Sequence, residues 1–496
     1  MAAALWAVAG SRAVLPELSA NSDEGIYLLQ SDALAHGRLA PVADPRDPAA
    51  YQPWFSATRD DRYVLKYSPV HASVLAAAAV ASGSPRTGLG AIAAAQVLLV
   101  MVLARELGAS RRAALAGGVL FATAPLVLQL DITYLSYGTS LVLLLGAAAA
   151  SWRAHRTASR GMAGLAGLCW GLALFARPYD AALFGLALGA ALLVRHRGLP
   201  RLDRPPLGWL AGAAVLGAVA PVLGLLAFDN TMTGEAWRLP FHLLEPRDAP
   251  GLGLRRSLPS DAFLNYTLGD AAASLGRNLL LVAVWTGGGV LGCCLAVTTI
   301  ARRRLDGAGL VVAVLVVWPV GYAFFWGSYV AAYLWDGALF LGPFYYLPMV
   351  AMLAIVGGVG LVDLWRRIPA AGVAAVVAAA ALVAAVAVPR LAEQHDRSAP
   401  RQAVAHAVAA RVEAPALVFV PPLYGPYLQN PLSFLRNNAT LDGRVLYAVD
   451  RGPEANARVQ AAHPDRTAYR LDLPLGWDDQ PGFDPQISVE ALPAPR

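Results

Sequence analysis

Residues 370–388 read AAGVAAVVAAAALVAAVAV, without a single charged or polar side chain. A helix of that length spans about 30 Å, the thickness of a bilayer's hydrocarbon core. Similar runs recur along the 496 residues, of which 57% are hydrophobic and 15% charged. A soluble domain cannot bury so much apolar surface. Continuous rather than alternating runs favour helices over a β-barrel, so the sequence predicts an all-α polytopic membrane protein.

About eleven transmembrane helices are predicted. The first, residues 1–18, is short and weakly apolar, and the other ten lie at 86–105, 113–128, 134–152, 161–176, 180–194, 207–228, 279–300, 308–327, 343–362 and 370–388. Residues 69–82 are also apolar, but counting them as a span would reverse every later connection. We therefore expect them to form a helix on the membrane surface.

Arginine placement predicts the orientation. One set of short connections is rich in arginine: Arg105, Arg111 and Arg112; Arg153, Arg156 and Arg160; Arg195, Arg197, Arg201 and Arg204; Arg302, Arg303 and Arg304; Arg366 and Arg367. The alternate short connections, at 128–134 and 328–343, contain no basic residue. Because basic residues mark cytoplasmic loops, the loops at 19–85 and 229–278 and the tail are predicted to be extracytoplasmic. The net charge of +6 therefore does not indicate nucleic-acid binding.

Two domains are predicted, a transmembrane domain over 1–388 and an extracytoplasmic domain over 389–496. The second is rich in proline and contains short β-like runs at 416–420 and 444–449, which indicate a small α/β or β-rich fold. The chain contains no glycine-rich nucleotide motif. Its three cysteines all fall in apolar segments and have no metal-site spacing.

An acidic pair, Asp23 and Glu24, follows the first predicted span directly. Carboxylates can remove the proton from an acceptor hydroxyl, and they can also ligate a divalent cation that neutralises a leaving phosphate. The alternative is a helix N-cap by Ser22 or Asp23. A third acid, Asp131, is the only charge in the connection LQLDITYLSYG (128–138). It is either functional, because isolated acids at the membrane are costly, or a solvated loop residue or N-cap.

Two cations lie where predicted extracytoplasmic segments meet the membrane. Lys66 is the only lysine of the chain and is flanked by aromatic residues, including Tyr67. Such a lysine suits a phosphate, although ordinary lipid headgroups would satisfy it as well. Arg177 opposes the positive-inside trend, so an anion must compensate it, either Asp180 or a lipid phosphate. Tyr333 and Asp336 lie in the 328–343 connection; an interfacial aromatic belt explains the ring, and sugar contact is the alternative.

The arrangement of these residues resembles the GT-C superfamily of polyprenyl-phosphate-sugar-dependent glycosyltransferases, in its protein O-mannosyltransferase and lipid A aminoarabinose transferase branch. An acidic pair opens the segment DEGIYLLQSDALAHGRL (23–39). Lys66-Tyr67-Ser68-Pro69 resembles the Lys-Pro-Pro of the family. An acid, Asp131, follows the third span, and a cation before proline, Arg177-Pro178, follows the fifth.

The resemblance implies a GT-C-like membrane domain and an inverting sugar transfer at the outer leaflet. Asp23 would act as the base or help to place a metal, Asp131 would assist it, and Glu24 would orient the donor or acceptor. Lys66 and Arg177 would hold the donor phosphate, and Tyr67, Tyr333 and Asp336 would contact the substrate. A divalent metal ion at Asp23 and Asp131 is the candidate cofactor.

The expected partners are a polyprenyl-phosphate-linked sugar donor, a glycan, lipid or protein acceptor, and the bilayer. Two other classes of function remain open. A transporter would need ionisable groups near the middle of the membrane and paired halves, and few such groups are present mid-span. A non-catalytic envelope assembly protein would use its tail to bind a partner.

Overall fold

The computed structural model describes residues 1–256, 263–302, 305–334, 340–422, 431–474 and 487–493. Most of them are helical. The helices are α1 (Ala2–Ala13), α2 (Asp23–Ala35), α3 (Pro69–Ser82), α4 (Arg86–Glu106), α5 (Arg111–Ala122), α6 (Pro125–Leu130), α7 (Tyr137–Thr157), α8 (Arg160–Ala176), α9 (Pro178–Gly198), α10 (Leu207–Thr233), α11 (Pro240–Leu244), α12 (Leu268–Trp285), α13 (Gly289–Ala301), α14 (Ala308–Ala323), α15 (Trp326–Tyr333), α16 (Leu347–Arg367), α17 (Pro369–Arg411) and α18 (Pro453–Ala461).

The strands form two hairpins and one larger sheet. They are β1 (Ser56–Arg59), β2 (Arg62–Leu65), β3 (Gly253–Arg256), β4 (Phe263–Tyr266), β5 (Ala416–Val420), β6 (Val445–Val449), β7 (Thr467–Asp472) and β8 (Ser488–Ala491). The first two pairs are antiparallel hairpins in the connections predicted at 19–85 and 229–278.

Within the described residues, five helical segments are long and apolar enough to cross a membrane, and they contain α4, α9, α10, α16 and α17. Two bent pairs, α12 with α13 and α14 with α15, raise this number to seven if each pair is one span. The prediction of a multi-pass membrane protein is confirmed. The count of about eleven and the orientation stay predictions.

Two predicted straight spans are bent. The span predicted at 279–300 turns by 100° between α12 and α13, and the one predicted at 308–327 turns by 84° between α14 and α15. The first bend occurs at Gly288 and Gly289, whose φ angles of 77° and 56° are left-handed. Residues with side chains seldom adopt that conformation, so the glycines make the sharp turn possible.

The centre of the bundle is α16, which is buried almost continuously from Leu347 to Gly358. It packs against α5, α13 and α14. Small residues let helices approach closely elsewhere too, because a Cβ at Gly167 would collide with the backbone of Ala214 where α8 meets α10. Close backbone packing is how helices associate in lipid.

The C-terminal sheet has the strand order β6-β5-β7-β8. The central β5 pairs in parallel with β6 and β7, and β8 is antiparallel to β7. All five residues of β5 are buried, as in a strand covered on both faces. The sheet and α18 confirm the small C-terminal domain. The boundary predicted at 388 lies inside α17, which continues to Arg411.

The C-terminal sheet packs on α2. Ile26 and Leu29 of α2 share one hydrophobic cluster with Leu417 and Phe419 of β5. The fit is close at Gly25, where an added Cβ would collide with the carbonyl group of Ser433. The segment that begins at Asp23 is therefore fixed between the helical bundle and the C-terminal domain.

Candidate functional site

A cavity of about 940 Å³ lies between the helical bundle, the two hairpin-bearing connections and the C-terminal domain. One end of α9 and one end of α10 lie at this cavity, and their opposite ends carry or adjoin arginine-rich connections. Its charged lining comprises two cations and five acids: Lys66, Arg177, Asp23, Asp180, Asp229, Glu245 and Asp248. Aromatic rings cover much of the remaining wall.

Lys66 is placed by the β1–β2 hairpin. Ser56 pairs with Leu65, so Phe55 and Lys66 face each other at the open end of the hairpin. The Lys66 backbone N–H donates to the Phe55 carbonyl at 3.0 Å, and its Nζ lies 4.2 Å from the centre of the Phe55 ring. The ammonium group also pairs with Asp248 at 3.6 Å. Lys66 is thus a half-buried cation on the cavity wall.

Arg177 lies at the break between α8 and α9, directly before Pro178. Its Nε donates to Asp180 Oδ2 at 2.7 Å, so Asp180 is one partner of its charge. The guanidinium group also lies over the Tyr137 ring at 4.2 Å. Asp180 receives further hydrogen bonds from Ser140 and Tyr322. The ion pair is therefore held rigidly at the cavity.

The two cations are connected through aromatic contacts. Tyr67, next to Lys66, stacks on Tyr27 with ring centres 4.7 Å apart. The Tyr27 hydroxyl donates to Ser136 Oγ at 2.8 Å, and Arg177 Nη1 donates to the same oxygen at 3.4 Å. The structure therefore brings Lys66, Tyr67 and Arg177 to one site.

Asp23 is the first residue of α2 and lines the same cavity. Its backbone N–H donates to Asn21 Oδ1 at 3.0 Å, and the Ser22 side chain makes no capping hydrogen bond. Burial raises the pKa of Tyr27, the charge of Arg177 lowers it, and the charges of Asp23 and Asp180 raise it. The charges of Asp23, the predicted base, and of Arg177, the predicted phosphate-binding residue, thus both act on the pKa of one buried phenol.

Glu24 points away from the cavity and is completely buried. Its carboxylate accepts hydrogen bonds from Ser19 and from the backbone N–H of Tyr134, the latter at 2.8 Å. Burial raises the pKa of Glu24, while these hydrogen bonds and the charge of Arg401 lower it. Glu24 therefore joins two connections rather than facing a substrate. Its orienting role stays a prediction.

Asp131 is also absent from the cavity wall. It follows α6, and its side chain is 8% exposed and accepts a hydrogen bond from Gln96 Nε2 at 2.8 Å. Burial raises the pKa of Asp131 to about 7, and the Gln96 hydrogen bond lowers it in part. The alternative of a solvated loop residue is excluded. The assisting role of Asp131 stays a prediction.

Of the two substrate contacts predicted in the 328–343 connection, Tyr333 does not line the cavity. Tyr333 is 40% exposed, donates to the Ala273 carbonyl at 3.2 Å and lies under the guanidinium group of Arg277. Asp336 lies outside the described residues. A role for Tyr333 in substrate binding also stays a prediction.

A metal ion held by Asp23 and Asp131 stays a prediction. Asp23 lines the cavity and Asp131 does not. In the part of the chain that the structure describes, no three His, Cys, Asp or Glu side chains cluster as a metal site would require.

Sequence reasoning missed three features of the cavity: Asp229 at the end of α10, Asp248 beside Lys66, and the Tyr322 hydroxyl on Asp180. Asp229 carried a usable signal, because an acid ends the apolar run predicted at 207–228. No signal in the sequence pointed to Asp248, since its partner Lys66 is distant along the chain.

Comparisons with known proteins give one family match and several structural relatives. Residues 416–493 match a family described as a domain of unknown function, DUF7846. No curated protein sequence matches the chain. ArnT from Cupriavidus metallidurans bound to undecaprenyl phosphate superposes with a TM-score of 0.56 at 15% identity, covering 94% of this chain and 92% of that one. The apo structure of ArnT gives 0.55 and 16% at the same coverage.

The archaeal oligosaccharyltransferase AglB from Archaeoglobus fulgidus, in complex with an inhibitory peptide and a dolichol-phosphate, is more distant. It has a TM-score of 0.45 at 12% identity and covers 95% of this chain and 69% of that one. ArnT belongs to the GT-C superfamily, and the superposition extends over nearly the whole of both chains. The protein described here therefore has the GT-C fold.

Proposed function

We propose that this protein is a membrane glycosyltransferase that moves a sugar from a polyprenyl-phosphate donor to an acceptor hydroxyl on the extracytoplasmic side. One observation carries the proposal: a single cavity in a GT-C fold is lined by an acid, Asp23, and two cations, Lys66 and Arg177. The ArnT structure that shares this fold contains undecaprenyl phosphate. The acceptor is a glycan, a lipid or a protein.

In the proposed reaction Asp23 takes the proton of the acceptor hydroxyl. The acceptor oxygen attacks the anomeric carbon from the face opposite the phosphate, so the configuration inverts. The bond between that carbon and the phosphate oxygen breaks, and its electron pair leaves with the phosphate. A carboxylate in this role typically contributes 10²–10⁴-fold to the rate.

Lys66 and Arg177 stabilise the phosphate as its charge increases. Both are paired with acids, Lys66 with Asp248 and Arg177 with Asp180. When the donor phosphate binds, it therefore either shares the two cations with these acids or replaces the acids as their partner. Charge-assisted hydrogen bonds from the cations to the phosphate supply the attraction. We assign no step to a metal, because Asp23 and Asp131 do not line the cavity together.

The test uses membranes that contain the protein and radiolabelled prenyl-phosphate sugars, with label followed into protein, glycan and lipid fractions. We expect Asp23→Asn to reduce transfer by at least about 100-fold at normal expression. Asp61→Asn is the matched control, because its side chain is 80% exposed in the same connection. Repeating the assay with EDTA, and then with added Mg²⁺ or Mn²⁺, tests the requirement for a metal.

Undiminished transfer by Asp23→Asn would remove Asp23 as the base. If the wild type transfers no sugar but moves the lipid or sugar across vesicle membranes, the transporter alternative is correct. Absence of both activities, with a partner bound to the C-terminal domain, would favour the assembly protein.

A further inference from the structure

One acid of the cavity stands apart from the others. Asp229 lies near the end of α10, is 2% exposed and lines the cavity. Among the described residues no hydrogen bond reaches its buried Oδ1. By contrast, Asp180 and Asp248 are each paired with a cation of the cavity.

Such a carboxyl oxygen is unfavourable in the protein alone. Burial removes its water, and nothing in the described residues replaces the lost hydrogen bonds. Such a group in a native structure calls for an explanation, for example a role in the reaction or a bound partner. The position on the cavity wall indicates a ligand that supplies the missing hydrogen-bond donor.

The surroundings restrict the chemistry of that ligand. Phe228, the neighbour of Asp229, packs on Phe175 with ring centres 5.8 Å apart, and both belong to a small apolar cluster with Leu243. Phe175 and Phe241 also line the cavity. Apolar rings around one hydrogen-bond acceptor suit a ligand with an apolar face and hydroxyl groups at its edge. A sugar ring has this combination.

The cavity is large enough to hold a sugar beside the donor phosphate. Its volume of about 940 Å³ is near the upper end for sites that bind small molecules. Phosphate binding at Lys66 and Arg177 therefore leaves room for a sugar in the same space. The same connection, residues 239–250, contributes Leu243 to the apolar cluster of Phe228 and places Asp248 beside Lys66.

We propose that Asp229 binds the donor sugar by accepting a hydrogen bond from one of its hydroxyl groups. This inference rests on the proposed function and specifies the sugar subsite of that same cavity. Asp229 is a substrate-binding residue in this proposal, and Asp23 remains the base.

The test compares a prenyl phosphate that carries no sugar with prenyl phosphates that carry one. Purified full-length protein in detergent is titrated with undecaprenyl phosphate and with undecaprenyl-phosphate glucose, mannose and arabinose. The variants are Asp229→Ala and Asp229→Asn, which keeps an acceptor oxygen. Asn230→Ala is the control, because Asn230 is the next residue of α10 and is exposed.

We expect Asp229→Ala to weaken binding of the preferred sugar-bearing lipid at least about tenfold and to leave binding of undecaprenyl phosphate within about twofold. Asp229→Asn should fall between the wild type and Asp229→Ala. The thermal stability of Asp229→Ala should equal or exceed that of the wild type, since an unsatisfied buried oxygen is removed.

Three results would overturn the inference: unchanged binding of all lipids by Asp229→Ala, equal weakening of both kinds of lipid, or a wild type that binds sugar-bearing lipid no more tightly than undecaprenyl phosphate. If the wild type binds neither kind of lipid, the proposed function fails and the sugar subsite fails with it.

Discussion

Arg401 of α17 fixes the connection that leads to Asp23. It is 1% exposed, and its guanidinium group donates to the carbonyl oxygens of Ser19 and Ala20. Its charge also lowers the pKa of Glu24. One buried side chain thus links the connection before α2 to the helix that leads into the C-terminal domain.

Replacing Arg401 with methionine should destabilise the protein by about 1–3 kcal/mol, because buried carbonyl oxygens lose their donors. Thermal unfolding in detergent measures the change. Arg458→Met in α18 is the matched control, since Arg458 is exposed. An unchanged unfolding temperature for Arg401→Met would show that water or neighbouring groups satisfy the connection without Arg401.

Asp131 gives a prediction about pH. Burial raises its pKa from 3.8 to about 7, so the folded state binds a proton more tightly than the unfolded state. The stabilisation is complete below about pH 4 and is lost as the pH rises through about 7. Three pKa units correspond to at most about 4 kcal/mol.

The wild type should therefore be less stable at pH 8 than at pH 5, and Asp131→Asn should show a smaller loss of unfolding temperature over the same range, because this carboxyl group no longer titrates. Unfolding scans at both pH values measure this difference. A parallel assay of sugar transfer tests the predicted assisting role, because loss of transfer by the stable Asn variant would indicate that the carboxylate takes part in the reaction.

At the level of elements, the contact between α2 and the C-terminal domain sets the position of Asp23. Gly25 lies in the first turn of α2, where a Cβ would collide with the Ser433 carbonyl group. Gly276 of α12 lies in a helix too, but nothing is within 4 Å of a Cβ there. The two glycines make a matched pair.

Alanine favours a helix over glycine by about 1 kcal/mol. Gly276→Ala should therefore be neutral or slightly stabilising. Gly25→Ala should be destabilising despite the same gain, and it should expose the C-terminal domain to protease. Limited proteolysis and unfolding scans compare the two variants. Equal protease resistance and equal unfolding temperatures would mean that α2 and the C-terminal domain are only loosely packed.

At the level of the whole molecule, the predicted orientation can be tested by labelling. Cys169, Cys293 and Cys294 are replaced by alanine, and single cysteines are then introduced as Asp61→Cys or Arg112→Cys. Both positions are exposed. A membrane-impermeant maleimide should label the first in intact cells and the second only after permeabilisation, because arginine-rich connections are cytoplasmic. The reverse labelling pattern would place the cavity on the cytoplasmic side of the membrane.

The sequence predicted the membrane class of this protein and four members of its cavity: Asp23, Lys66, Tyr67 and Arg177. Apolar runs long enough to cross a bilayer are a local property, so composition alone reveals them. Asp23, Lys66 and Arg177 were recognisable because each is an unusual charge at the end of an apolar run. Their meeting in one cavity agrees with that prediction.

The remaining features depended on contacts between residues that are far apart in the chain. Asp131 and Glu24 carry the same local signal as Asp23, yet packing turned both into the protein interior. Asp248 acquired its place beside Lys66, and Arg401 its place beside Ser19, only when separate segments packed together. Hydropathy acts along the chain and determined which segments enter the membrane. Packing acts between segments, and it alone decided which of the acids face the cavity.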